Sequence, residues 1–295
     1  MKVPLRLLMA ALLAFPAAAG SIPPGRTLEA ERVRRIVEAV AATVEREYVD
    51  PEVAARADVS LRTSLAAGRY ASSLAGNDLA ALLTRDLQAV SRDKHLTVPV
   101  PADGSAPAPP AKAEPDRERA TTGRRANFGI RRVAILAGNV GYLDVRSFFR
   151  ASESREAIGA AMRFLRNADA LVVDLRENGG GAPDGVALLS SAFFDTPGLE
   201  LFDIVSRTGT VVQAYRPERP LLADADGRHP DFLLTSRRTF SAGEGFAFLL
   251  QERGRARGRR RGDGGRGESR ARVPRRRRLL GRRAERESPN RADGP

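Results

Sequence analysis

The sequence predicts an α/β fold that is preceded by a small all-helical unit. Strand-like and helix-like segments alternate between residues 127 and 256, which is the pattern of a sheet with packed helices. One segment, Ala170–Leu175, is mostly apolar, as in a strand that is buried on both faces. Residues 27–92 instead show only the spacing of apolar side chains that is typical of helices.

We predict a helical domain over residues 27–98 and a linker over residues 99–126, which is rich in Pro, Ala and charged residues. The first helix is predicted to begin with Thr27 as its N-cap and to end at Asp50-Pro51. A second helical pattern begins at Asn77. The apolar residues that recur at helical spacing are Val33, Ile36, Val37, Val40, Val44, Tyr48, Leu79, Leu82, Leu83, Leu87 and Val90.

The core over residues 127–256 is predicted to contain both strands and helices. The predicted strands are 132–136, 140–145, 170–175, 201–205, 211–215 and 231–235. The predicted helices are 152–167, 186–194 and 241–250.

The N-terminus has the three parts of an export signal. Lys2 and Arg6 precede an apolar run that ends at Phe15, and small residues follow at 17–20. We therefore expect residues 1–19 to be a signal peptide and the mature protein to be periplasmic or secreted, with no membrane span left after cleavage. The alternative is an N-terminal anchor helix. The chain contains no Cys, which excludes disulfides, zinc–thiolate sites and Cys nucleophiles.

The positive charge is concentrated at the C-terminus. The chain carries a net charge of +13, of which residues 252–295 contribute +11 through 17 Arg and 6 acidic residues. The part predicted to fold is thus nearly neutral, and we expect no nucleic-acid partner. The alternative is that the tail is a disordered basic arm that binds nucleic acid or an anionic surface.

Three local features are candidates for chemistry. A glycine run at 179–181 follows the buried strand and exposes backbone N–H groups that can hold an oxyanion, although it is also compatible with a plain tight turn. Ser241 stands between a strand and a helix, where it is either a nucleophile or an N-cap completed by Glu244. His95 is either a general base or a surface histidine.

Four segments together resemble the tail-specific (C-terminal processing) serine peptidases, in the branch related to tricorn protease and to interphotoreceptor retinoid-binding protein. They are DKHL at 93–96, GNVGYL at 138–143, DLRENGGG at 174–181 and TSRRTFSAGE at 235–244. The resemblance implies a crotonase-like (ClpP/crotonase) core behind the helical domain. It also implies Ser241 as nucleophile, and the N–H groups of Gly180 and Ala242 as the oxyanion hole.

The identity of the base follows from the same resemblance. Many members of the family use a Lys after the nucleophile, but this chain has no Lys beyond Lys112. The tricorn-like branch uses a His with a distant Glu, so His95 is the implied base and its acidic partner is expected well beyond Ser241. The substrate would be a peptide or protein, and neither a metal nor an organic cofactor is implied.

The resemblance is expected to end near Ala256, after which residues 257–295 remain rich in Arg and Gly. The codons of residues 259–271, read one base later, are compatible with the strand and turn that the family has at this point. This suggests a one-base frame change near Ala256. We therefore expect a truncated core, a disordered tail, and a 295-residue chain that is inactive and poorly folded. The alternatives are a non-catalytic module that binds apolar ligands and an interaction protein that acts through its basic tail.

Overall fold

The structure is a computed structural model that describes residues 5–8, 22, 25, 27–70, 75–100, 116–194, 199–217 and 231–260. Its helical part contains α1 (Ala30–Glu47), α2 (Pro51–Ala66), α3 (Gly76–Ser91) and α4 (Asp116–Arg125). The first three helices bury one continuous apolar cluster, which includes the predicted face of α1 from Val33 to Tyr48.

The start of α1 and the whole of α2 differ from the prediction. Helix α1 has Glu29 as its N-cap, and Thr27 instead forms an isolated bridge with Ala75. Helix α2 was not predicted, although Asp50 caps it by accepting the backbone N–H groups of Glu52 and Val53, both at 3.1 Å. Helix α1 ends earlier than predicted, at Glu47, and Asp50-Pro51 begins α2.

The predicted linker contains a helix. Helix α4 occupies the second half of the range 99–126, and residues 101–115 lie outside the described residues. Part of the segment that was predicted to be a linker is therefore helical.

The core has one five-stranded sheet with helices packed against it. Its strands are β2 (Ile130–Leu136), β3 (Val140–Val145), β4 (Ala170–Asp174), β7 (Asp231–Thr235) and β8 (Ala256–Arg260), in the order β2-β3-β4-β7-β8. Strands β2 and β3 are antiparallel, and all other neighbours are parallel. The associated helices are α5 (Ala151–Leu165), α6 (Pro183–Ser190) and α7 (Ala242–Glu252).

Strand β8 extends past residue 256, the predicted end of the core, and so corrects the expectation of disorder for the first residues of the tail. It pairs in parallel with β7 in a register that sets Asp231 opposite Ala256 and Thr235 opposite Arg260. The sequence of β8 lacks apolar alternation. Its position in the sheet is therefore determined by backbone hydrogen bonds to β7. The tail beyond residue 260 lies outside the described residues.

A second, three-stranded sheet has the order β1-β5-β6, with β1 at Leu5–Leu8, β5 at Phe202–Val205 and β6 at Val211–Tyr215. Strand β1 lies inside the predicted signal peptide and pairs in parallel with β5. The rest of that predicted signal lies outside the described residues. Within the part of the chain that the structure describes, no helix has the length and hydropathy required to cross a membrane.

Candidate active site

The glycine run and Ser241 lie at the same edge of the sheet. Strands β4 and β7 are parallel neighbours, so their carboxyl ends are adjacent. The loop that contains Gly180 follows β4, and the loop that ends at Ser241 follows β7. Loops at the carboxyl ends of neighbouring strands are where α/β proteins commonly place their binding sites.

Ser241 has a backbone conformation that helix capping does not explain. Its φ is 52° and its ψ is −119°, whereas an N-cap residue normally has extended angles. The Glu244 carboxylate accepts the Ser241 N–H at 3.1 Å, which is one of the two bonds of a capping box. Hydrolase nucleophiles are held on a strained strand-to-helix turn of this kind, because it presents the hydroxyl at the tip. The strained backbone therefore favours the nucleophile over the simple cap.

Gly180 lies directly against Ser241. A Cβ atom built on Gly180 would be 2.8 Å from the Cβ of Ser241 and 3.2 Å from the N of Ala242. The φ of Gly180 is +103°, which side-chain-bearing residues rarely adopt. The absence of a side chain is thus what allows this close approach to the nucleophile.

The N–H groups of Gly180 and Ala242, which were predicted to form the oxyanion hole, differ in their hydrogen bonding. Ala242 is the first residue of α7, and a helix provides no internal acceptor for its first N–H groups. The Gly180 N–H donates to the side-chain Oδ1 of Asn178 at 2.8 Å. An acyl oxygen can therefore take the Gly180 N–H only by displacing Asn178.

Asn178 is a central residue of the site that was not among the predicted site residues. It is fully buried, and its Nδ2 donates to the carbonyl of Val145 at 3.0 Å. Its own carbonyl accepts the N–H of Phe240, also at 3.0 Å. Asn178 thus connects β3, the glycine run and the residue before the nucleophile. Its place within the DLRENGGG segment was the signal that could have identified it.

Thr239 supports the same turn from the other side. Its hydroxyl donates to the carbonyl of Leu175 at 2.7 Å and accepts the N–H of Ser236 at 2.9 Å. The loop before Ser241 is therefore bonded to the end of β4 by side chains as well as by the backbone.

His95 reaches the nucleophile segment from the helical part of the chain. Its imidazole stacks on the ring of Phe240, with centroids 4.3 Å apart and planes at 25°. Phe240 directly precedes Ser241, so the structure brings His95 to the same segment as Ser241, which Gly180 contacts. The His95 side chain is a quarter exposed, as a base that meets substrate must be.

The carboxylate beside His95 is Asp93. Its Oδ1 lies 2.7 Å from the Nδ1 of His95 and also accepts the His95 backbone N–H at 3.0 Å. The Tyr48 hydroxyl donates to its Oδ2 at 3.0 Å, and Asp93 is buried. The acidic partner of His95 was expected well beyond Ser241. The carboxylate that contacts His95 in the structure is instead Asp93, two residues before the base. The Asp-x-His spacing in DKHL was the available signal.

A network of charged side chains stiffens the same edge of the sheet. Arg176 donates to Asp174 at 2.6 Å, and Tyr142 donates to it at 2.7 Å. Burial alone would raise the Asp174 pKa, but the hydrogen bonds from these two partners outweigh it and lower the pKa below its ordinary value. Asp174 is thus held as a carboxylate just before the glycine run.

The described residues contain no cluster of three or more His, Asp or Glu side chains that is placed to hold a metal ion. The groups that the structure brings together at the candidate site are a hydroxyl, an imidazole, a carboxylate and backbone N–H groups. This is the set that acyl transfer through a serine uses.

Two family models cover most of the chain. The model of peptidase family S41 matches residues 139–278, and the model described as the N-terminal domain of S41 peptidases in eukaryotic IRBP matches residues 28–124. The chain belongs to peptidase family S41. The S41 match continues beyond Ala256, so the expectation that the resemblance ends there is wrong.

Several solved structures are similar to parts of the chain. The photosystem II D1 C-terminal processing protease is 25% identical over 42% of this chain and 32% of its own, with a TM-score of 0.34. A candidate S41 protease from Bacteroides fragilis is 23% identical over 42% of this chain and 36% of its own, with a TM-score of 0.37. A candidate peptidase from Parabacteroides merdae is 14% identical over 78% and 74%, with a TM-score of 0.45. The S41 chain thus spans about a third of the length of the first two proteins.

Proposed function

We propose that this S41 chain carries the site of a serine peptidase that hydrolyses peptide bonds through an acyl-enzyme on Ser241. The observation that carries the proposal is the strained backbone of Ser241, which lies in contact with Gly180 and directly follows Phe240, the residue on which His95 stacks. Strain of this kind persists only where the surroundings impose it, and it is concentrated at functional sites.

The proposed reaction has two steps. The His95 Nε2 takes the hydroxyl proton of Ser241 while Oγ attacks the peptide carbonyl carbon, and the oxyanion receives the N–H of Ala242. The C–N bond then breaks, and the leaving amine takes the proton from His95. Water hydrolyses the resulting ester by the same route, which restores Ser241.

The turnover of this 295-residue chain is expected to be very low. The Gly180 N–H, the second donor of the proposed oxyanion hole, is bonded to Asn178. Loss of one such donor costs about 100- to 1,000-fold in turnover. We propose that the chain forms the nucleophile and its base but completes the oxyanion hole poorly.

The test separates nucleophile formation from turnover. A fluorophosphonate probe is expected to label Ser241 in the intact chain, and S241A should abolish the label. The matched control is S60A, a serine on α2, which packs against α1 and α3, and this variant should label as wild type does. Absence of labelling in a chain that melts cooperatively, or labelling that survives S241A, would overturn the proposal.

We also propose that the core is crotonase-like and that the protein is exported after removal of residues 1–19. The basic start and apolar run of the leader support export. N-terminal sequencing of the protein from the periplasm or medium of a bacterial host should begin near residue 20. A full-length N-terminus confined to the cytoplasm would contradict export.

We propose the frame change on codon compatibility alone, since the family match of the chain as written extends to residue 278 and does not require it. Resequencing the coding DNA from codon 245 to beyond the stop tests it. The expected result is a shifted frame that spells the family's strand and turn from position 259. An unrelated shifted frame would exclude the proposal and leave the basic arm as the explanation of the tail.

A further inference from the structure

Asp93 holds His95 on the side of Nδ1, away from Nε2, and Tyr48 holds Asp93. The Nδ1 of His95 lies 2.7 Å from Asp93, and the other oxygen of Asp93 receives the Tyr48 hydroxyl at 3.0 Å. Tyr48 is itself held by the core, since Arg207 in the turn between β5 and β6 donates to its backbone carbonyl. Asp93 is therefore held directly by residues of the helical part, and its partner Tyr48 is bonded in turn to the core.

We propose that Asp93 is the positioning residue of this site, and that it keeps the proton of neutral His95 on Nδ1 so that Nε2 can accept the Ser241 proton. The inference rests on the proposed function, because it assigns Asp93 a role in that reaction. A carboxylate can only accept hydrogen bonds, so a neutral imidazole that contacts it through Nδ1 must carry its proton there.

The burial of Asp93 makes this arrangement specific. The residue is 2% exposed, so water does not replace its partners, and the Tyr48 hydroxyl, the His95 backbone N–H and the His95 Nδ1 converge on its two oxygens. The Phe240 ring on the imidazole face restricts the rotation of His95 in addition. Together these contacts fix both the tautomer and the plane of the base.

A purely structural role for Asp93 predicts a different outcome. The bond from the His95 backbone N–H to Oδ1 spans two residues and would stabilise the loop whatever the state of the ring. Loss of that bond alone would lower the melting temperature without changing the protonated nitrogen. The tautomer of His95 is therefore the decisive measurement.

The chain suits this measurement because it contains only two histidines, His95 and His229. In an H229Q background, imidazole ¹⁵N spectra of neutral protein report His95 alone. The intact site should show a protonated Nδ1 and an unprotonated Nε2. D93A should move the proton toward Nε2, whereas D93N retains a carbonyl acceptor and should keep much of the original tautomer.

Labelling rates provide the second readout. D93A should slow fluorophosphonate labelling of Ser241 by about 100-fold or more, which is the contribution of a well-placed general base. Y48F should slow it less, because Asp93 then keeps its contacts with His95. The control E31A changes an exposed acid on α1 and should alter neither the tautomer nor the rate.

The outcomes distinguish the two proposals. An unchanged tautomer and labelling rate in D93A, with wild-type labelling present, would overturn the positioning role and leave the proposed function standing. A protonated Nδ1 that depends on Asp93, in a chain whose Ser241 never labels, would support the positioning of His95 and overturn the proposed function.

Discussion

Replacement of Gly180 by alanine would place a methyl group against the nucleophile. The new Cβ would lie 2.8 Å from the Ser241 Cβ and 3.1 Å from the Phe240 carbonyl oxygen. Carbon atoms normally approach to about 3.5–4.0 Å, so the turn that carries Ser241 must move. Alanine would also have to adopt a φ of +103°.

Both effects can be assigned a magnitude. Overpacking of this kind costs about 1–3 kcal/mol, and a strained backbone conformation costs about 1–3 kcal/mol. Partial relaxation of the loop reduces the sum, so we expect about 3 kcal/mol. At about 2–4 °C per kcal/mol for a domain of this size, the melting temperature should fall by about 6–12 °C.

Gly179 is the matched control for this experiment. A Cβ built on it meets no atom within 4 Å, and the residue is exposed. G179A should therefore change stability by no more than about 0.5 kcal/mol. Thermal denaturation by circular dichroism and fluorophosphonate labelling of both variants provide the assay. Equal destabilisation by the two variants, or a G180A protein that melts and labels as wild type does, would refute the proposed contact.

Three other predictions concern single side chains of the site. S241G should be more stable than S241A by about 1 kcal/mol in thermal melts, because glycine adopts the φ of 52° without strain. Equal stabilities of the two variants would contradict strain at this turn. N178A should lower the free energy of unfolding by about 3 kcal/mol in urea titrations, because it leaves the Val145 carbonyl and the Gly180 N–H without their partner. The control N77A changes an exposed asparagine and should have little effect. The lowered pKa of Asp174 means that its ion pair stabilises the fold above the ordinary carboxyl pKa. This stabilisation is lost as the pH falls through the lowered value, so the free energy of unfolding of wild type should fall on acidification more than that of D174N.

The strands were predicted well where the apolar pattern was strong. Strands β3, β6 and β7 have the predicted limits because each is bounded by turn residues. Helix α2 was missed because its buried face consists mainly of the small residues Ala54 and Ala57, with Leu61. Helical periodicity is detected through large apolar side chains, and alanines provide little signal.

Strand β8 could not be predicted for a different reason. Its residues, from Ala256 to Arg260, have neither apolar alternation nor a turn signal. Its position follows from the free edge that β7 offers to the next segment of chain. Pairing of the backbone at a sheet edge depends on what lies beside the strand, which the local sequence does not encode.

The sequence by itself determined which residues could act: Ser241, His95 and the glycine run were identified from local motifs. Only the tertiary structure decided that they come together. The order β4-β7 makes neighbours of two loops that are about 60 residues apart in the chain, and the contact with Phe240 brings His95 to them from the helical part. It also decided that Asp93 lies at Nδ1 of His95 and that Asn178 occupies the Gly180 N–H. Motifs specify chemical groups, whereas distances between groups far apart in the chain are set by strand order and packing.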